Sequence, residues 1–208
     1  MSSKNTKQFK LRYILIPLFS LIAAALIFLF FLHIKRTITV QNFIEKLEAT
    51  VQDGDIICRL GDRIWSLYFK GLSKQDKRFS HLGIIHISEG EIFVINAEGL
   101  AWEGRDKVSI DSLAHFIKPA GMIGIYRLPD VNGEIISKEA LKFIDRPFDW
   151  YFDLENDEKI YCTELLYAAL KYTYPEIQLK TIKKYGRDII PLEAISDSPQ
   201  FLEILFIQ

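Results

Sequence analysis

The sequence predicts an α+β domain, an antiparallel sheet or small barrel packed on helices, carried behind an N-terminal transmembrane helix. Three observations predict it. Residues 11–34, LRYILIPLFSLIAAALIFLFFLHI, are almost wholly apolar. Between Asp53 and Leu128 the chain reads as short β-patterned runs broken by turns. After Pro129 it reads as helical runs closed by one apolar strand. Strands first and helices later is the order of an α+β fold.

The chain has 208 residues, enough for one domain and an attachment. Its 26 Lys and Arg balance 27 Asp and Glu, so no basic field invites nucleic acid and no acidic tract implies disorder. Two cysteines make no disulfide framework and no paired zinc spacing. No HExxH, Walker or GxGxxG pattern occurs among these residues. The expectation is a chain with no metal, no cofactor and no nucleic-acid partner.

The segments follow in order. Residues 1–10 form a short basic tail. Residues 11–34 form the anchor, and the 22 residues from Tyr13 to Ile34 carry no Asp, Glu, Lys or Arg. About 20 such residues cross the hydrocarbon core of a bilayer. A cleavable signal peptide is the rival, but Ala23, Ala24 and Ala25 lie in mid-segment and the far end is bulky. Lys4, Lys7, Lys10 and Arg12 precede the span, whereas Lys35, Arg36 and Lys46 follow it. The excess favours a cytoplasmic N-terminus and an exported, periplasmic or extracellular domain. Residues 35–50 read as a stalk and residues 51–208 as the folded domain.

Within that domain, DGDIICRLGD turns into a strand in which Ile56, Cys58 and Leu60 alternate with Asp55, Ile57 and Arg59. Residues 62–79 are helix or loop. HLGIIHIS (81–88), EIFVINAE (91–98) and MIGIYRL (122–128) are strands, with a short one near Lys107–Ile110. ISKEALKFID (136–145) is a helix, RPFDWYFDLENDEK an aromatic and acidic loop, and Tyr161–Tyr174 a second helix ended by Pro175. The tail holds a turn or short helix and a last strand.

Two residues carry candidate chemistry. Cys162 opens the second helix, on the face shared by Leu165, Leu166, Ala169 and Leu170, where unpaired N–H groups favour negative charge. Such a position lowers a thiol pKa. If Glu89 and Gly90 form a two-residue turn, Ser88 pairs with Glu91 and His81 falls opposite Glu98. The Glu98 carboxylate would then orient the imidazole, with Asn96 in reserve should the register shift by two. His86 has the wrong parity for the same site. Cys58 reads as core, and Glu164 lies off the Cys162 face.

The ordered blocks GDIICRLG, SHLGIIHI, INAEG, RPFDWYF, YCTELLYAAL and IIPLEAISDS resemble those of the YiiX-like permuted papain-fold amidases, relatives of the NlpC-type cell-wall peptidases. The resemblance runs from about Asp53 to Ile207. It implies a circularly permuted papain-like domain in which the histidine precedes the cysteine. It also implies Cys162 as nucleophile, His81 as base and Glu98 as orienter. Thr163 departs from the serine usual after the cysteine.

On this reading Cys162 and His81 form a thiolate–imidazolium pair, and the sulfur attacks an amide or ester carbonyl. Tyr161, Asp149 and Trp150 are candidate substrate-binding residues, with Phe152 a further apolar wall. The expected function is a membrane-anchored cysteine hydrolase of short peptides or amino-acid amides, touching the bilayer through residues 11–34. A lipid-acting thioesterase or acyltransferase and an inactive binding module stay open. Nothing in the sequence sets the oligomeric state.

Overall fold

A computed structural model of the chain describes residues 3–62, 64–100, 104–184 and 186–208. Met1 and Ser2, part of the expected basic tail, lie outside the described residues. The chain divides into two units, Met1–Asn42 and Phe43–Gln208.

The first helix, α1 (Ser3–Glu48), runs as one continuous element through the expected span and most of the residues assigned to tail and stalk. No glycine or proline interrupts the chain between Leu18 and Asp53, so nothing breaks the helix where the apolar run ends. Its stretch from Leu18 to Glu48 is long and apolar enough to cross a membrane. Large side chains such as Phe19, Leu26, Phe28 and Phe31 are exposed along it. The last turns belong to the folded unit, where Phe43 and Leu47 are buried.

The folded unit is built on an open antiparallel sheet of six strands rather than a barrel. In chain order the elements are β1 (Ile56–Gly61), α2 (Ile64–Lys70), β2 (His81–Ser88), β3 (Glu91–Leu100), β4 (Arg105–Ser112), α3 (Leu113–Ile117), β5 (Ala120–Arg127), α4 (Gly133–Leu141), α5 (Cys162–Leu170), β6 (Ile182–Lys184), β7 (Arg187–Ile189), α6 (Glu193–Ser196) and β8 (Leu202–Ile207). The sheet order is β4-β3-β2-β1-β5-β8, and β6 and β7 make a separate hairpin that the sequence pattern does not announce.

The β2–β3 hairpin fixes the site. Glu89 and Gly90 sit at φ 53° and 83°, the two left-handed residues of a type I′ turn. Ser88 pairs with Glu91, and the ladder continues to Ile84 opposite Ile95. Alternation then sorts the side chains. Ile56, Cys58, Leu82, Ile84, Ile95 and Ala97 join the core with Leu165, Leu166 and Ala169 of α5. Arg59, His81, Asn96 and Glu98 have the opposite parity, on the face away from that core.

The paired β2–β3 ladder ends at Ile84 and Ile95. In the hairpin's alternation the N–H of Leu82 points towards β3, and beyond the last pair it is released from a strand partner. It is taken up by the Cys162 sulfur. The N-terminus of α5 therefore meets the sheet where β2 and β3 part. This allows a residue on the helix side to share a cavity with residues of the opposite parity.

Candidate active site

A cavity of about 50 Å³ opens at the start of β2. That volume admits a few water molecules or one small group. Cys162, His81, Arg59 and Glu98 line it, with Phe69, Phe148 and Leu100 among its apolar walls. Cys162 is buried, and the backbone N–H groups of Leu82, Thr163 and Cys162 itself serve its sulfur. His81 opens β2 and is half-buried, its ring stacked on Phe116 with centroids 5.6 Å apart.

The expected hydrogen bond between His81 and Glu98 is made by a different residue. His81 Nε2 lies 3.0 Å from Asn96 Oδ1. The reason is local. Gly83 lies between them on the same face, and a Cβ there would come within 3.2 Å of the Asn96 Cβ. With no side chain at 83, the amide reaches diagonally across to the ring. Glu98 keeps its place in the cavity wall, but two guanidinium groups hold its carboxylate. Arg59 Nη2 donates to Oε1, and Arg105 Nη2 lies 2.9 Å from Oε2.

The network also fixes the imidazole tautomer. Asn96 Nδ2 donates to Asp111 Oδ2 at 3.0 Å. Its Oδ1 therefore faces His81 and accepts from Nε2–H, which leaves Nδ1 as the bare, basic nitrogen. Asp111 is in turn paired with Arg105 at 2.5 Å.

Charge states follow from burial. Burial pushes the Cys162 thiol up to about 11, although the three N–H groups and the Arg59 charge act against it. Burial, and then the neighbouring Arg59 charge, push the His81 imidazole down to about 4. Both shifts favour a neutral thiol beside a neutral imidazole over the thiolate–imidazolium pair. Burial alone would raise the Glu98 carboxyl, but the charges of His81, Arg59 and Arg105 outweigh it and hold it below the usual range.

Two measurements check these states. The ultraviolet absorbance of the Cys162 thiolate, read as wild type minus Cys162→Ala, should climb with pH from neutrality towards about 11. Thiolate absorbance already level between about pH 5 and 8 would instead mark a preformed ion pair. His81 should also link stability to acid. An unfolded imidazole takes up a proton near 6.5, whereas the folded one resists it down to about 4. Its contribution is complete above that unfolded value and drains away as pH falls through the window to the folded value. Urea unfolding of wild type should therefore weaken more steeply across that window than unfolding of His81→Asn.

Tyr161, Asp149 and Trp150 do not line the cavity among the described residues. Tyr161 is buried, and its hydroxyl accepts from the Ile190 N–H at 3.0 Å. Asp149 is fully buried and accepts from the N–H groups of Tyr151 and Asp153, at 2.9 and 2.5 Å. Trp150 Nε1 donates to Asp106 at 2.8 Å, and its ring meets Phe148 edge-on at 5.1 Å. These contacts shape the loop before α5. Phe152, also buried, packs on Tyr161 at 5.0 Å. Glu164 accepts from the Tyr161 N–H at 3.3 Å and so caps the helix that carries Cys162. Burial pushes its carboxyl up to about 8.

The sequence model of one family, described as permuted papain-like amidase enzymes of the YaeF/YiiX type, family C92, matches residues 50–197. The chain belongs to the permuted papain-like amidases. Members of this family are cysteine amidases or peptidases, and the present amidase is a hydrolase of that class. Among curated proteins none matches it significantly. Among solved structures it is similar to the metalloprotein YiiX from Escherichia coli O157:H7, with a TM-score of 0.61 and 18% identity. That alignment covers 76% of this chain and 97% of the other, and it shows a shared fold. Among the described residues of this amidase, no group of three or more His, Cys, Asp or Glu side chains is placed to hold a metal ion.

Arg59 and Asn96 are the site residues that sequence reasoning underused. Arg59 faces His81 directly across the β1–β2 pair. A guanidinium on a strand position between Ile57 and Gly61 was a signal that the face beyond it holds polar partners.

Proposed function

We propose that the chain is a membrane-anchored cysteine hydrolase that cleaves amide bonds in short peptides or amino-acid amides through Cys162, His81 and Asn96. The observation that carries the reading is the shared cavity of Cys162 and His81, with the imidazole tied by Nε2 and free at Nδ1. As Sγ attacks the carbonyl carbon, its proton passes to Nδ1 of His81 and the carbonyl π pair moves to oxygen. Collapse restores the carbonyl and breaks the C–N bond, and His81 returns the proton to the departing nitrogen. Water, deprotonated by the same nitrogen, then releases the acyl group and regenerates the thiol.

The stretch Leu18–Glu48 supports the anchor, and the Lys and Arg count supports an N-terminus on the cytoplasmic side with an exported domain. The function is tested with the full chain in detergent against a panel of amino-acid amides and short peptides, following amine release. Release that Cys162→Ala abolishes is the expected result. An acyl adduct on Cys162 after incubation with phospholipid vesicles, without amine release from any peptide or amide, would overturn it in favour of lipid acyl transfer.

A further inference from the structure

Arg59 is 5% exposed and lines the cavity beside Cys162 and His81. Four features define what its guanidinium can do. Nη1 donates to the carbonyl of Phe116, and Nη2 donates to Glu98. The plane rests over the Phe116 ring, 4.4 Å from its centroid, which fixes its orientation. The Nε–H, buried with the rest, has no hydrogen-bond partner. Its charge is felt at both reacting groups, lowering the pKa of Cys162 and that of His81.

A buried donor without an acceptor is destabilising and calls for an explanation. Two of the guanidinium's five N–H groups and one face are committed to protein, and Nε is the one nitrogen that makes no hydrogen bond, so it suits one oxygen atom. The nearby charges agree, because Arg59 and Arg105 are matched by Glu98 and Asp111, which leaves no surplus to hold a permanent anion. A charge that exists only during reaction fits this balance.

We infer that Arg59 is a catalytic residue that donates Nε–H to the carbonyl oxygen of the substrate as negative charge develops on it. The backbone N–H of Cys162 at the head of α5, released by the sulfur as the Sγ–C bond forms, is the companion donor. As the Sγ–C bond forms, the pair leaving the C=O π bond comes to rest on oxygen between these two donors. It returns when the C–N bond breaks. The same guanidinium disfavours protonation of His81 in the resting state, which keeps the base ready.

The assignment rests on Cys162 being the nucleophile, so the test separates the two ideas. The full chain in detergent is treated with p-nitrophenyl acetate, whose acyl transfer passes through an oxyanion. It is treated in parallel with iodoacetamide, whose displacement does not. Arg59→Lys keeps a positive charge near Glu98 but lacks the Nε–H. Its acylation should fall about 10²-fold or more, as for loss of one oxyanion donor, while its alkylation falls far less. Equal losses in both reactions would overturn the assignment, since Arg59 would then act only through thiol ionisation. No loss in either would overturn it as well. If Arg59→Lys does not fold, wild type labelled with ¹⁵N-arginine and acylated with cinnamoylimidazole gives the answer. The Arg59 Nε–H resonance should move downfield when the thioester carbonyl arrives, and an unmoved resonance rejects the proposal. Acylation of wild type at a residue other than Cys162, read by mass spectrometry, would reject the hydrolase reading itself.

Discussion

Cys162→Ala is expected to lose all turnover above background, and His81→Ala to lose roughly 10⁴-fold, with the double variant no worse than Cys162→Ala alone. The first loss follows from removing the attacking atom. The second has a size that the charge states supply. Burial holds the thiol near 11. With no base beside it, a thiol of that pKa is ionised in only about one part in 10⁴ at pH 7. His81 removes that penalty by taking the proton as the sulfur attacks. The His81→Ala variant should therefore regain activity about tenfold per pH unit above neutrality, until the thiol itself ionises. Wild type should show no such climb once its imidazole is neutral, which it is above about pH 4. Initial rates against pH for both proteins check this. Parallel profiles would mean that His81 is not the base.

The fold was legible where local chemistry decides it. Glu89-Gly90 announced the turn, and the turn fixed the β2–β3 register on which the site depends. The alternation around Cys58 and the apolar face of 162–170 gave the core side of β1 and α5. What was not legible depends on contacts between distant segments. Hairpin geometry brought Glu98 opposite His81, but Arg59 from β1 and Arg105 from β4 claim its carboxylate. Asn96 gains the ring because Gly83 has no side chain to intervene. Glu164 reads as a solvent-side residue on a helical wheel, yet it is buried at the cap of α5. The neutral resting pair is the same kind of case. A helix N-terminus lowers a thiol pKa in open surroundings, and only the folded structure reveals that burial outweighs it here.

Asn96→Ala is expected to cut the acylation rate about 10²-fold while leaving substrate binding little changed, whereas Glu98→Gln should cost less than about tenfold. The argument turns on which group holds the imidazole. Without Asn96 the Nε2–H has no acceptor, the ring is steadied only by Phe116, and nothing selects the tautomer with a bare Nδ1. Asp111 loses its donor from the amide but keeps Arg105, so the fold should survive. Glu98→Gln retains an amide oxygen for Arg59 and leaves the His81–Asn96 bond untouched. The two variants thus separate orienting the base from steadying the neighbouring arginine. Single-turnover acylation with p-nitrophenyl acetate measures both, and the split between kcat and KM on a turned-over amide shows whether binding changed. A larger loss for Glu98→Gln than for Asn96→Ala would return the orienting role to the carboxylate. It would also mean that the ring turns away from Asn96 once substrate is bound.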